Sequence, residues 1–140
     1  MTYPDGSTVG VGDLVWWNEG HSVGYVQVVA ESKDDYESWG LKVPSIFLSN
    51  RHPFDRSLGT GVAYDRASFE DEGIGLLSLE ELNQLERATA EARRLATASF
   101  DTSTYSVTTE VDKCQQVGWV FTLFRDGREV EVLKVAAIPA

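Results

Sequence analysis

Few residues in this chain could make or break a covalent bond. The imidazoles are His21 and His52 and the one thiol is Cys114, and a nucleophile works only with a base in hydrogen-bond reach. Cys114 lies in Asp112-Lys113-Cys114-Gln115-Gln116, which reads as a polar turn between two strands, and no spacing brings a histidine to it. Adjacent carboxylates occur in Glu70-Asp71-Glu72 and Glu80-Glu81. A hydrolytic pair must converge on a substrate, whereas neighbours along a loop project apart and stay ionised. There is no CxxC, HxxxH or HExxH and no calcium-loop spacing, so no metal is implied. Gly10-Val11-Gly12 and Gly73-Ile74-Gly75 fall short of a dinucleotide or phosphate-loop fingerprint and read as turns. The residue types predict no catalytic group, no cofactor and no enzyme.

The acids make better sense as a surface. The 140 residues hold 22 Asp and Glu against 12 Lys and Arg, net −10 at pH 7, a sign that repels phosphate backbones and argues against direct nucleic-acid binding. Residues 1–80 carry 13 acids and 5 bases, net −8; residues 81–140 carry 9 and 7, net −2. Two clusters account for much of this: Glu31 to Glu37 and Asp65 to Glu72, each with four acids and one base. Tyr36 and Trp39 adjoin the first, and Phe69 and Ile74 flank the second. Carboxylates beside large apolar groups fit an interface with an electropositive protein; the plainer reading is a solvated surface whose aromatics anchor their loops. In Trp16-Trp17, strand neighbours point to opposite faces, so one indole must be covered or displayed. The partner-binding set is Asp34, Asp35, Glu37, Trp39, Glu70, Asp71, Glu72 and Trp17.

Positioning these residues falls to short strands and one long helix. Turn signals at Asp5-Gly6 and Gly12-Asp13 lead into Leu14-Val15-Trp16-Trp17, and a glycine-containing link leads to Val23–Val29, together a hairpin. Gly24 predicts a bulge or a close backbone approach. Glu31–Gly40 reads as a short helix or ordered loop, with Tyr36 and Trp39 one helical turn apart. Ile46-Phe47-Leu48 and Gly61–Tyr64 read as strands, joined by Asn50–Gly59, long enough to be a contact loop.

Ser78 with Glu81 is a capping box, and Leu82, Leu85, Ala88 or Thr89, Ala92 and Leu95 or Ala96 form one apolar stripe. The helix predicted is about 78–97, with Arg93 and Arg94 at the end its dipole favours. Beyond Asp101 the period becomes two: Tyr105, Val107, Thr109 and Val111 share a face. Asp126-Gly127 predicts a two-residue hairpin in which Leu123 faces Val130, Phe121 faces Val132, Thr122 faces Glu131 and Phe124 faces Glu129. No repeat or linker divides the chain, so residues 1–140 are expected to form one α+β domain: a small curled N-terminal antiparallel sheet, the helix, and a C-terminal three-stranded antiparallel meander. A lone cysteine, no basic leader before an apolar stretch and no run of about 18 apolar residues predict a reduced, cytoplasmic setting with no membrane span.

Val11-Gly12-Asp13-Leu14-Val15 followed by Gly24-Tyr25-Val26-Gln27-Val28-Val29 resembles the opening hairpin of SH3-like barrels, including KOW-type modules. The resemblance implies an SH3-like N-terminal sheet. The basic residues with which such modules bind nucleic acid are absent. As a whole the chain resembles, in size, charge and style, the immunity proteins of bacterial interbacterial toxin systems. That implies a partner: a cognate protein toxin whose electropositive cleft is occluded. Two other readings stay open, an SH3-like adaptor recognising peptides through Trp16, Trp17 and Trp39, and a small enzyme with an unrecognised site.

Overall fold

In the computed structural model, residues 1–49, 61–97, 105–111 and 118–136 are described. The long loop with His52 and the turn with Cys114 lie outside them. The strands are β1 (Leu14–Trp17), β2 (Ser22–Ala30), β3 (Ser45–Ser49), β4 (Val62–Asp65), β5 (Gly75–Leu76), β6 (Ser106–Val111), β7 (Trp119–Arg125) and β8 (Arg128–Val135). The helices are α1 (Lys33–Ser38), α2 (Ser68–Glu72) and α3 (Leu79–Leu95). The fold is α+β, with one open antiparallel sheet in the order β4-β3-β2-β6-β7-β8 and with β1 lying between β2 and β5.

β2 is the strand that both halves share. At its start Ser22 pairs with Trp17 of β1 and with Glu110 of β6, and from Tyr25 to Ala30 it pairs with β3. A Cβ at Gly24 would lie 1.9 Å from the Ser49 carbonyl oxygen, so a close backbone approach is what this glycine provides. The bulge lies further on, at Gln27 between Val26 and Val28.

Two apolar clusters follow from this division. Val15, Trp17, Val26, Ile46 and Leu48 pack with Met1, Tyr3, Val9, Phe69 and Ile74. Leu85, Ala88 and Ala92 of α3 pack on Val107, Trp119, Phe121, Leu123, Leu133 and Val135. Each large side chain so enclosed contributes roughly 1.5–3 kcal/mol. The capping box at Ser78 and Glu81 starts α3, both reciprocal bonds being made. Its last helical residue is Leu95, two short of the expected end, because Ala96 is already extended with its N–H on the Ala92 carbonyl.

The C-terminal hairpin turns at Asp126-Gly127, both with positive φ as expected. Phe124 faces Glu129, but Leu123 then faces Glu131, Thr122 faces Val132 and Phe121 faces Leu133, because a bulge at Val130 shifts the register. Leu133 and Val135 therefore reach the core, and Val130 and Val132 stay exposed at 49% and 41%. The acidic stretch after β4 is not a plain loop. Ser68–Glu72 forms α2, started by the Asp65 carboxylate accepting from the Ser68 amide and hydroxyl.

Candidate functional site

The first acidic cluster is displayed by α1. Ser32 caps it, its Oγ accepting from the Asp35 amide at 3.2 Å, and Asp34 and Asp35 stand in the first turn, where the helix end favours negative charge. Lys33 and Glu37 approach to 3.8 Å one turn apart. No residue of α1 is buried, so Asp34, Asp35 and Glu37 face solvent.

Gly40, at φ +73°, ends this turn, and its N–H donates to the Glu37 carbonyl. The reversal lays Trp39 over Phe47 with ring centroids 4.9 Å apart at 46°. Phe47 sits between Val28 and Ala63 in the register, between the buried Ile46 and Leu48 along its own strand, and so belongs to the outer face. Trp39 remains 55% exposed, whereas Trp17 and Trp119 are each 5% exposed. Asp34, Asp35, Glu37 and Trp39 are thus all exposed within α1 and its exit turn.

The second cluster behaves differently. Glu70 and Asp71 are exposed on α2 and Glu72 is half-buried. Their apolar neighbours Phe69 and Ile74 are buried and serve to anchor α2. Trp17, expected as a contact residue, is enclosed in the N-terminal core, where it clusters with Phe69 of α2, and its indole N–H donates to the Tyr64 hydroxyl. Burial pushes the Tyr64 hydroxyl above its ordinary range, and the Glu72 carboxylate pushes it the same way.

The pairing of Ala30 with Ser45 and of Ser45 with Asp65 starts both acidic segments at the same end of the sheet. They then part. The Glu72 carbonyl accepts from the Glu19 amide at 2.9 Å, in the turn at the other end of β2. The end of α2 therefore lies against the β1–β2 turn.

This junction borders a groove that the sequence gives no means of finding, since its lining residues are far apart in the chain. Trp16, Gly20, Gly73, Glu81 and Val111 line a space of about 390 Å³. Trp16 stacks on Trp119, with centroids 5.7 Å apart at 19°. Its Nε1–H is buried and, among the described residues, is the one enclosed side-chain donor with no partner. His21, next to Gly20 in the chain, is half-buried, its carbonyl accepting from the Val111 amide at 2.8 Å.

No family model, curated protein or solved structure matches this chain.

Among the described residues no three His, Cys, Asp or Glu side chains gather as a metal site, and no helix is long and apolar enough to cross a membrane. A smaller hollow of about 320 Å³, lined by Val43, Pro44, Asp65, Arg66 and Ala67, sits at the open end of the β3–β4 hairpin. Two surface features on the described residues are an exposed indole beside the α1 carboxylates and a groove with Trp16 and Glu81 in its lining.

Proposed function

We propose that this chain is a non-enzymatic acidic protein that binds an electropositive protein partner, with Trp39 as its anchor and Asp34, Asp35 and Glu37 around it. The observation that carries the reading is the exposure of Trp39 on the Phe47 ring beside the α1 carboxylates. Tryptophan dominates interface energies when a partner encloses it, and unlike charges around it speed encounter. The finer reading is an immunity protein: it neutralises a cognate toxin by occluding the toxin's basic active-site cleft, in the cytoplasm, without turnover. The net charge of −10 supports it, as a match to a cationic groove.

An SH3-like reading of the N-terminal half is supported by the strand order β5-β1-β2-β3-β4. The short α2 between β4 and β5, and the division of β2 between two sets of partners, agree with it. The test is affinity capture from the native cell. Wild-type protein retains one basic protein, and the Asp34→Lys, Asp35→Lys, Glu37→Lys triple variant loses it. Capture that ignores charge reversal and salt rejects this reading in favour of a peptide adaptor.

A further inference from the structure

We propose that the face of the β6-β7-β8 meander turned away from α3 is a self-association surface, on which a second copy of this chain docks about a two-fold axis running along β7. Strand alternation fixes the two faces. Val107, Phe121, Leu123, Leu133 and Val135 are buried in the α3 cluster, so the residues between them point the other way. An antiparallel sheet with one solvated face ordinarily shows polar residues there. Here that face carries the half-buried Val120 and Phe124 beside Val132, which is 41% exposed, and Val130 of the bulge stands 49% exposed at the margin.

The register points to the occupant. Val120 pairs with Glu110 on one side and with Lys134 on the other, and Thr122 pairs with Thr108 and with Val132. A two-fold axis along β7 lays β6 of each copy over β8 of the other. Val120 and Thr122 then meet their own counterparts, Thr108 meets Val132, and Glu110 of each copy meets Lys134 of the other. Both charges are exposed and, among the described residues, neither belongs to an ion pair. A closed dimer needs a patch complementary to itself, and this one is; stacking of sheets with nearly aligned strands is an ordinary packing. The meander also lies in the part of the chain where charge nearly balances, net −2 over residues 81–140 against −8 over residues 1–80. Two copies therefore repel least here, and an electropositive partner is drawn elsewhere. Trp39 stands on β3, so this surface is independent of the partner reading above. Roughly ten side chains a copy take part, against about 20–30 in a standard interface, so the dimer is weak, dissociating at about 100 µM.

The test is sedimentation equilibrium of the full chain from about 10 µM to about 1 mM, a range that brackets the expected dissociation constant. Wild type is expected to pass from monomer to dimer across it. Glu110→Lys sets like charges opposite each other and is expected to weaken the dimer about threefold or more. Replacing that acid by a base also moves the net charge from −10 to −8, which by itself would favour association, so the two effects have opposite signs. The Glu110→Lys, Lys134→Glu double variant restores both pairs in exchanged order and is expected to recover wild-type affinity. Thr122→Lys puts like charges together at the axis and is expected to abolish the dimer while the unfolding curve stays nearly unchanged, because Thr122 points away from the α3 core. A monomer throughout, a dimer indifferent to Glu110→Lys and Thr122→Lys, or a double variant no better than Glu110→Lys alone overturns the proposal. A monomer from which Thr122→Lys releases a captured partner also overturns it, and gives the face to that partner.

Discussion

Trp16 and Trp119 stack with centroids 5.7 Å apart and planes 19° from parallel, joining β1 of the N-terminal strands to β7 of the C-terminal meander. Trp119 is buried at this junction. Trp119→Ala is expected to lower unfolding free energy by about 3–5 kcal/mol in urea titration. Trp16→Phe keeps a stacked ring and removes an enclosed donor without an acceptor, so its effect is expected to stay within about 1 kcal/mol.

The bulge at Val130 decides which face of β8 is load-carrying. Leu133 is 7% exposed against 41% for Val132. Leu133→Ala is expected to cost about 2–5 kcal/mol, and Val132→Thr less than about 0.5 kcal/mol, by thermal or denaturant unfolding. Equal costs would mean that the unbulged register holds.

Gly24 faces the Ser49 carbonyl and the Trp17 ring, its Cβ position lying 1.9 and 2.7 Å from them. Gly24→Ala must push β2 off β3 and is expected to cost more than about 3 kcal/mol or prevent folding. Gly40→Ala has open space and meets only the strain of φ +73°, about 1 kcal/mol. The pair of unfolding curves separates close approach from backbone conformation.

Tyr3 is buried, its hydroxyl donating to Asp13 Oδ2 at 2.7 Å while the Gly10 amide donates to the same oxygen at 2.9 Å. Burial first, then the hydrogen bond to Asp13, hold the Tyr3 hydroxyl well above its ordinary range. The folded state then keeps a proton that the unfolded chain releases near pH 10. The stabilisation is fully present below that pH and fades as pH rises beyond it. Wild-type stability should fall more steeply above about pH 10 than that of Tyr3→Phe, measured as denaturation midpoints across alkaline pH.

Much of this fold is legible in local chemistry. Ser78 and Glu81 mark the start of α3, the stripe through Leu85, Ala88 and Ala92 marks its buried face, and Asp126-Gly127 marks the hairpin, because each rests on contacts within a few residues. The register beyond Phe124 is not legible, since one inserted residue exchanges Val132 for Leu133 and both are apolar. Trp17 and Trp39 illustrate the same limit at the site. Neither sequence context says which indole is enclosed; the packing of Trp17 with Phe69 of α2 and of Trp39 on Phe47 decides it. The display of Asp34, Asp35, Glu37 and Trp39 was foreseeable from a short polar helix with a glycine exit, whereas the groove at Trp16 depends on four stretches meeting in space.

The most direct measurement is the dissociation constant for the captured basic partner, determined for wild type and Trp39→Ala across ionic strength. Trp39 is largely outside the core, so its removal leaves the unfolding curve nearly unchanged. Binding is expected to weaken at least tenfold on truncation, about 1.4 kcal/mol or more, and wild-type affinity to fall steadily with added salt. A Trp39→Ala protein that binds as tightly as wild type, with affinity indifferent to salt, would contradict the account.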